Sequence, residues 1–331
     1  MTQEEGAVLL EVEDLHVEFR TRDGVARVLN GVSYHVSAGE TLAVLGESGS
    51  GKSVTAQAIM GILDTPPAHV TRGAVRFHGE DLLTASAERR RAVRAEGVAM
   101  IFQDALSALN PVFTVGFQIE EQLRLRRGLS RADARARAVE LLDLVRIPAA
   151  RQRVREYPHQ FSGGMRQRAM IAMSLALDPE VLIADEPTTA LDVTVQAQIM
   201  DLLAEIQRER HMGLILITHD LGVVAEVADR IAVMYAGRIV EQADAASLFA
   251  SPGHPYTAAL MRSLPRLDAK GSALETIRGL PPSLLSIPPG CPFHPRCPRA
   301  QDVCARDVPA DVALGAGRTS ACHFAEEVVG G

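Results

Sequence analysis

Several short apolar runs of strand length punctuate the chain: Thr41-Leu42-Ala43-Val44-Leu45, Val98-Ala99-Met100-Ile101-Phe102, residues 181–184 and residues 213–218. Such runs fit buried strands, which have no solvent face and so no alternation. The N-terminal stretch behaves differently. Leu9, Val12, Leu15, Val17 and Phe19 are interleaved with charges, which predicts an edge-type strand over 9–19. Asp23-Gly24 signals a tight turn, and residues 25–36 read as its partner strand. Strands are also expected at 73–77 and, as a hairpin around Ala236-Gly237, at 231–235 and 238–240.

Helical character follows the first apolar run, from 54 to 62, until Asp64-Thr65-Pro66-Pro67 breaks it. A charged helix is expected over 87–94. Residues 104–160 are rich in Arg, Ala and Leu and lack strand alternation, so they read as a mainly helical insertion. Within it Ser130 can cap a helix through Val139, Leu141, Leu142 and Val145 that stops at Pro148. Arg124, Arg126, Arg127, Arg131, Arg135 and Arg137 read as its solvated face. Another helix is expected from about 165 to 177. The pattern predicts an α/β fold with an N-terminal antiparallel β-subdomain and a helical subdomain at about 104–165.

Chemistry gathers where these runs end. After the first comes Gly46-Glu47-Ser48-Gly49-Ser50-Gly51-Lys52-Ser53, which fits the phosphate-binding pattern G-x-x-x-x-G-K-[ST] in its strand–loop–helix setting. Glycines let successive N–H groups point at one phosphate, and the helix beginning near Lys52 adds its positive dipole end. Lys52 would reach the β- and γ-phosphates, and the Ser53 hydroxyl would ligate Mg²⁺. Thr55 on the following helix is included among the nucleotide-binding candidates. Gln103 follows the run at 98–102, placed to deliver a polar side chain to a site. Asp185 and Glu186 end the strand at 181–186, suited to holding Mg²⁺ and polarising a water. His219 ends the strand at 213–218, where a ring nitrogen can hydrogen-bond a γ-phosphate. Ser162, Gly163 and Gly164 precede a helix and offer a second anion site. Phe19 is either a core residue or a platform for adenine.

Composition narrows the setting. A chain of 331 residues with 47% hydrophobic and 23% charged positions is that of an ordinary globular protein. The formal net charge of -7 gives no support for a nucleic-acid partner. No apolar run approaches the roughly 20 residues that span a bilayer. The acidic Met1-Thr2-Gln3-Glu4-Glu5 does not resemble a signal peptide, so a cytoplasmic location is expected.

Taken in order, these segments resemble the ATP-binding subunits of ABC transporters, which implies a P-loop NTPase fold. Residues 46–53 resemble the Walker A loop, Gln103 the Q-loop glutamine and Phe161-Ser162-Gly163-Gly164-Met165-Arg166-Gln167 the signature. Residues 181–186 resemble Walker B, Ala190-Leu191-Asp192 the D-loop and His219 the switch histidine. Phe161 and Met165 depart from the common Leu-Ser-Gly-Gly-Gln, and Asp104-Ala105 stands where Asp-Pro is common. The resemblance implies Mg·ATP held by residues 46–53 with Gln103 and Asp185, and hydrolysis through Glu186, Lys52 and His219. It implies a head-to-tail pairing in which Ser162, Gly163 and Gly164 face the ATP of a second ATPase subunit, a sibling or another copy.

Leu109-Asn110-Pro111, Leu191-Asp192-Val193-Thr194-Val195-Gln196, and His254-Pro255-Tyr256-Thr257 followed by Pro265 are similar to the dipeptide/oligopeptide importers. So is Gly290-Cys291-Pro292-Phe293-His294-Pro295-Arg296-Cys297-Pro298. Residues 1–250 would be the nucleotide-binding domain and 251–331 the loop-rich extension of such importers. The implied partners are two transmembrane permease subunits and an external peptide-binding protein, with this subunit peripheral at the cytoplasmic membrane face. A related importer of another solute such as nickel, or a soluble non-transport ABC ATPase, are the alternatives.

All four cysteines, Cys291, Cys297, Cys304 and Cys322, fall in this extension. Four thiolates suit a [4Fe–4S] cluster or a structural zinc, and free or oxidised thiols are the third possibility. The close C-x₂₋₄-C pairs usual for zinc are absent, and the resemblance implies an iron–sulfur centre. Pro288, Pro289, Pro292, Pro295 and Pro298 prevent regular helix here, and His294 and His323 are fallback ligands.

Overall fold

The computed structural model describes residues 6–189, 191–263, 277–315 and 317–330. Ala190 of the expected D-loop and Pro265 of the extension motif lie outside the described residues. The chain divides into two compact units, one made of Met1–Leu10, Val36–Glu40 and Thr84–Ile217, the other of Glu11–His35, Thr41–Leu83 and Thr218–Gly331.

In the first unit Val98–Ile101, Val181–Asp185 and Gly213–Thr218 form parallel neighbours, with Val98 opposite Val181 and Val181 opposite Gly213. Every residue of Val181–Asp185 is buried, which is why the run is continuous rather than alternating. The 104–160 region is helical as expected, with Ala105–Ala108, Val115–Arg127, Arg131–Leu144, Ala150–Arg153 and a 3₁₀ turn at Pro158–Gln160. Ser130 is the N-cap of Arg131–Leu144, its hydroxyl accepting from the Asp133 amide at 3.2 Å. The expected arginine face is only partly solvated. Arg135 bonds the largely buried Glu120 at 2.6 Å, and Arg127 donates to the Leu177 carbonyl at 2.6 Å.

In the second unit Thr41–Leu45 runs parallel to Arg230–Tyr235, with Leu42 opposite Arg230. Arg230–Tyr235 then forms the expected hairpin with Arg238–Asp244, four residues longer than the sequence pattern suggests. Arg238–Asp244 pairs in turn with Thr319–Ser320, and that strand with Val312–Ala313. The C-terminal stretch therefore supplies strands to the same sheet as the strand before the phosphate loop. The four-stranded sheet runs in the order Gly24–Ser37, Val8–Thr21, Ala68–Phe77, Glu80–Asp81. The core of this unit joins Ala43, Leu45, Val233 and Tyr235 to Tyr256 and Phe293, both essentially without exposure. Buried Glu241 is tied across it, accepting from the amides of Gly253 and His254 at 2.6 and 2.9 Å and from Arg318 at 3.3 Å.

Candidate functional site

The phosphate loop closes on itself in the second unit. The helix Lys52–Met60 begins at Lys52, two residues earlier than its apolar pattern, and ends at Gly61 in the left-handed region. Gly51, its N-cap, has φ 107°, and a Cβ there would lie 2.8 Å from Leu29 and Met234. A Cβ on Gly46 would meet the Met234 carbonyl oxygen at 2.2 Å. The loop thus packs so tightly on the neighbouring strand that only glycine fits. Lys52 Nζ, buried, donates across the loop to the carbonyls of Gly46 at 2.7 Å and Glu47 at 3.1 Å. That sets its ammonium over the curl of the loop, and Ser48 and Gly49 are exposed at its tip. Ser50 is buried, its Oγ without a hydrogen-bond partner among the described residues, while Ser53 is half-buried. Thr55 is fully buried and its hydroxyl donates to the Gly51 carbonyl at 3.0 Å, so it braces the first helical turn. Phe19, in Val8–Thr21, is half-buried. His219, just beyond Gly213–Thr218, is exposed, followed by Asp220, which caps the helix Leu221–Val227.

In the first unit the structure brings Gln103 and Glu186 together. Gln103 Nε2 donates to Glu186 Oε2 at 3.0 Å, and Thr189 Oγ1 donates to the same oxygen at 2.9 Å. Glu186 has φ 46°, an unusual conformation for a non-glycine residue that turns it out of the strand's alternation just past buried Asp185. Its amide is fixed by the Ile217 carbonyl at 2.8 Å. No sequence pattern marks Thr189, because a hydroxyl three residues past a carboxylate is not distinctive. Ser162 and Gly163 are exposed at the start of the helix Gly163–Ser174, whose N-cap is Ser162 with Oγ accepting from the Met165 amide at 3.3 Å. Gly164 packs on Val195, where a Cβ would come within 2.9 Å.

The four cysteines are unbridged and line one cavity with His254, Phe293, His294 and His323. Burial pushes the Cys291 thiol up to about 11, the other cysteines adding to the shift, and raises Cys297 and Cys322 for the same leading reason. Such thiols are protonated and unreactive unless an ion takes the proton's place. Among the described residues, however, no group of three or more His, Cys, Asp or Glu side chains is disposed to hold a metal ion. The donor chemistry suits a thiolate-bound group, but the arrangement itself supports neither the expected iron–sulfur cluster nor zinc. His254 is held neutral: Nδ1 accepts from the Tyr256 amide at 3.0 Å, and burial pushes its pKa down to about 3.

Among the described residues, no helix is long and apolar enough to cross a membrane. Residues 29–189 match the family described as ABC transporter, and residues 240–304 match the oligopeptide/dipeptide transporter C-terminal region. The oligopeptide transport ATP-binding protein OppD of Salmonella typhimurium is 51% identical over 315 residues, covering 95% of this chain and 93% of that protein. The dipeptide transport ATP-binding protein DppD of Bacillus subtilis is 50% identical over 319 residues, covering 96% and 95%. Among solved structures, a bacterial ABC transporter cassette determined as a dimer matches with a TM-score of 0.64 and 26% identity, over 72% of this chain and 99% of that one.

Proposed function

This chain belongs to the ABC transporter family, among its oligopeptide and dipeptide transport ATP-binding proteins, and from that premise we propose that it is the ATP-hydrolysing subunit of a peptide importer. Residues 46–53 bind the phosphates through backbone N–H groups and Lys52. Ser53, Asp185 and Gln103 are the residues that would hold Mg²⁺, which when bound neutralises charge on the β- and γ-phosphates. Glu186 orients and polarises the attacking water, and His219 donates to the γ-phosphate. The observation that carries the catalytic assignment is the grip of Gln103 and Thr189 on one Glu186 oxygen, which aims the carboxylate.

Ser162, Gly163 and Gly164 complete the site of a second ATPase subunit, so two subunits close head-to-tail on two nucleotides. The exposure of Ser162 and Gly163 and the dimeric state of the cassette relative support this reading. Two permease subunits dock on the helical region after Gln103, where Val112, Phe113 and Phe117 are exposed and the two phenyl rings stack at 4.8 Å. The protein is therefore peripheral at the cytoplasmic face of the membrane, and a peptide-binding protein delivers substrate outside. The extension, residues 251–331, carries the four unbridged cysteines, whose donor chemistry suits a cysteine-ligated [4Fe–4S] cluster although the described side chains are not disposed to hold an ion, and a spectrum decides between them. Anaerobically purified protein should absorb in the visible and lose that colour on Cys304→Ser; a colourless, iron-free protein refutes the cluster.

Glu186→Gln tests the catalytic assignment. It preserves shape and the contact to Gln103 while removing the base, so Mg·ATP binding should persist and turnover should fall about 10²- to 10⁴-fold. Unimpaired turnover would exclude Glu186 as the residue that activates water.

A further inference from the structure

The phosphate-loop pattern leaves its second position open, and here it is a glutamate. A carboxylate in a loop that receives a triphosphate is a like charge in the wrong place, weakening binding unless something cancels it. Glu47 is cancelled and held at the same time, by residues 209 and 249 positions further along. Its amide donates to Tyr256 Oη at 2.9 Å. Its carboxylate receives Arg296 in a two-pronged pair, Nη1 to Oε2 at 2.6 Å and Nη2 to Oε1 at 3.0 Å.

Both holders are themselves fixed. Tyr256 lies in the first turn of Pro255–Arg262 with no exposure, its ring 4.6 Å from that of Tyr235 and 5.3 Å from that of Phe293. Arg296 belongs to the 3₁₀ turn His294–Arg296, between Cys291 and Cys297, and its side chain is 6% exposed. Its Nε donates to the Arg278 carbonyl at 3.0 Å, and its guanidinium lies over the Tyr235 and Phe293 rings at 5.8 and 6.0 Å. Together with Nη1 to Tyr235 Oη at 3.3 Å, these contacts leave the fork one orientation, the one that meets Glu47. The grip extends to the binding lysine, since Lys52 Nζ is seated on the carbonyls of Gly46 and Glu47. A shift of residue 47 would carry the ammonium with it.

We propose that Arg296 and Tyr256, both within the C-terminal stretch 240–304, are positioning residues of the nucleotide loop, with Arg296 also neutralising the loop's own glutamate. The proposal rests on reading residues 46–53 as the ATP site. The extension is then a working part of nucleotide binding, and the turn between Cys291 and Cys297 sets the geometry of the loop.

The test is a titration of the full chain with a fluorescent ATP analogue and Mg²⁺, together with steady-state hydrolysis. Arg296→Gln strands Glu47 beside the triphosphate. It should raise Kd and KM for ATP about tenfold and leave kcat within about threefold. Arg296→Lys keeps the charge and loses the fork, so it should fall between. Glu47→Gln/Arg296→Gln removes the stranded charge and should recover most of the lost affinity; a purely structural role for Arg296 predicts no such recovery. The proposal is overturned if the double variant binds ATP as weakly as Arg296→Gln, or if Arg296→Gln binds like the parent. Should Arg296→Gln not fold, parental affinity in Arg296→Lys overturns it equally. Lys52→Ala separates the two levels. Unchanged binding in Lys52→Ala removes the ATP-site reading itself, whereas lost binding there with parental binding in Arg296→Gln removes only the role of Arg296.

Discussion

Replacing Phe293 with alanine asks whether the C-terminal extension is built into the core or merely appended to it. Phe293 is 1% exposed, and its ring meets Tyr235 and Tyr256, each with centroids 5.3 Å apart. Deleting a buried phenyl ring loses its transfer free energy, leaves a cavity and removes two aromatic contacts worth about 0.5–1.5 kcal/mol each. The total is about 3–5 kcal/mol for a site that cannot collapse, and the surrounding tyrosines are held by hydrogen bonds to Arg296 and Glu47, which resists collapse. At about 2–4 °C per kcal/mol for a unit of this size, the main thermal transition should fall by roughly 10 °C. Phe293→Leu, closer in volume, should cost only about 1–2 kcal/mol. Scanning calorimetry is the assay. If Phe293→Ala leaves the main transition unmoved and produces a separate early one, the extension unfolds independently and the shared core has no energetic content.

Gly46→Ala would drive a methyl to 2.2 Å from the Met234 carbonyl, so the loop must shift. ATP binding should weaken at least tenfold by titration, and parental affinity would show that the loop's close packing is irrelevant to its job. Acid should destabilise the second unit through His254, whose pKa is pushed down to about 3 by burial while the unfolded chain titrates near the ordinary 6.5. Between those values the unfolded state binds the extra proton. Stability is therefore complete above about pH 6.5 and is lost progressively below it, by up to about 1.4 kcal/mol per pH unit. His254→Asn keeps a capping acceptor and should flatten the slope of melting temperature against pH; an unchanged slope would assign the acid loss to other groups.

The buried strands and their polar ends were legible because each run is short, continuous and followed by chemistry: Val181–Asp185 by Glu186, Gly213–Thr218 by His219. Ser130 was legible because a cap depends only on the amides three residues on. The ends of helices were less so. Gly163–Ser174 starts inside its glycine motif, before the expected 165, where no apolar periodicity announces a helix, whereas the start at Lys52 follows from the phosphate-loop pattern itself. The contacts of the extension were not legible at all. Nothing local in Tyr256 or Arg296 points to Glu47, because a tyrosine beside Pro255 and an arginine beside Cys297 read as an ordinary core residue and an ordinary surface residue. The buried cluster that joins Leu45 and Tyr235 to Tyr256 and Phe293 brings them to the loop. The cysteines illustrate the opposite limit: sequence spacing proposed a ligand set, and folding gathered the four on one cavity without disposing any three of them to hold an ion.

The central claim, that this subunit powers peptide import by hydrolysing ATP, is tested most directly in proteoliposomes holding the two permease subunits, this chain and its ATPase partner. Labelled peptide, presented with its binding protein, should accumulate in the lumen when Mg·ATP is on this chain's side. Accumulation should stop with Glu186→Gln while Mg·ATP still binds. Uptake that proceeds undiminished with Glu186→Gln, or ATP turnover that never responds to peptide and binding protein, would contradict the account.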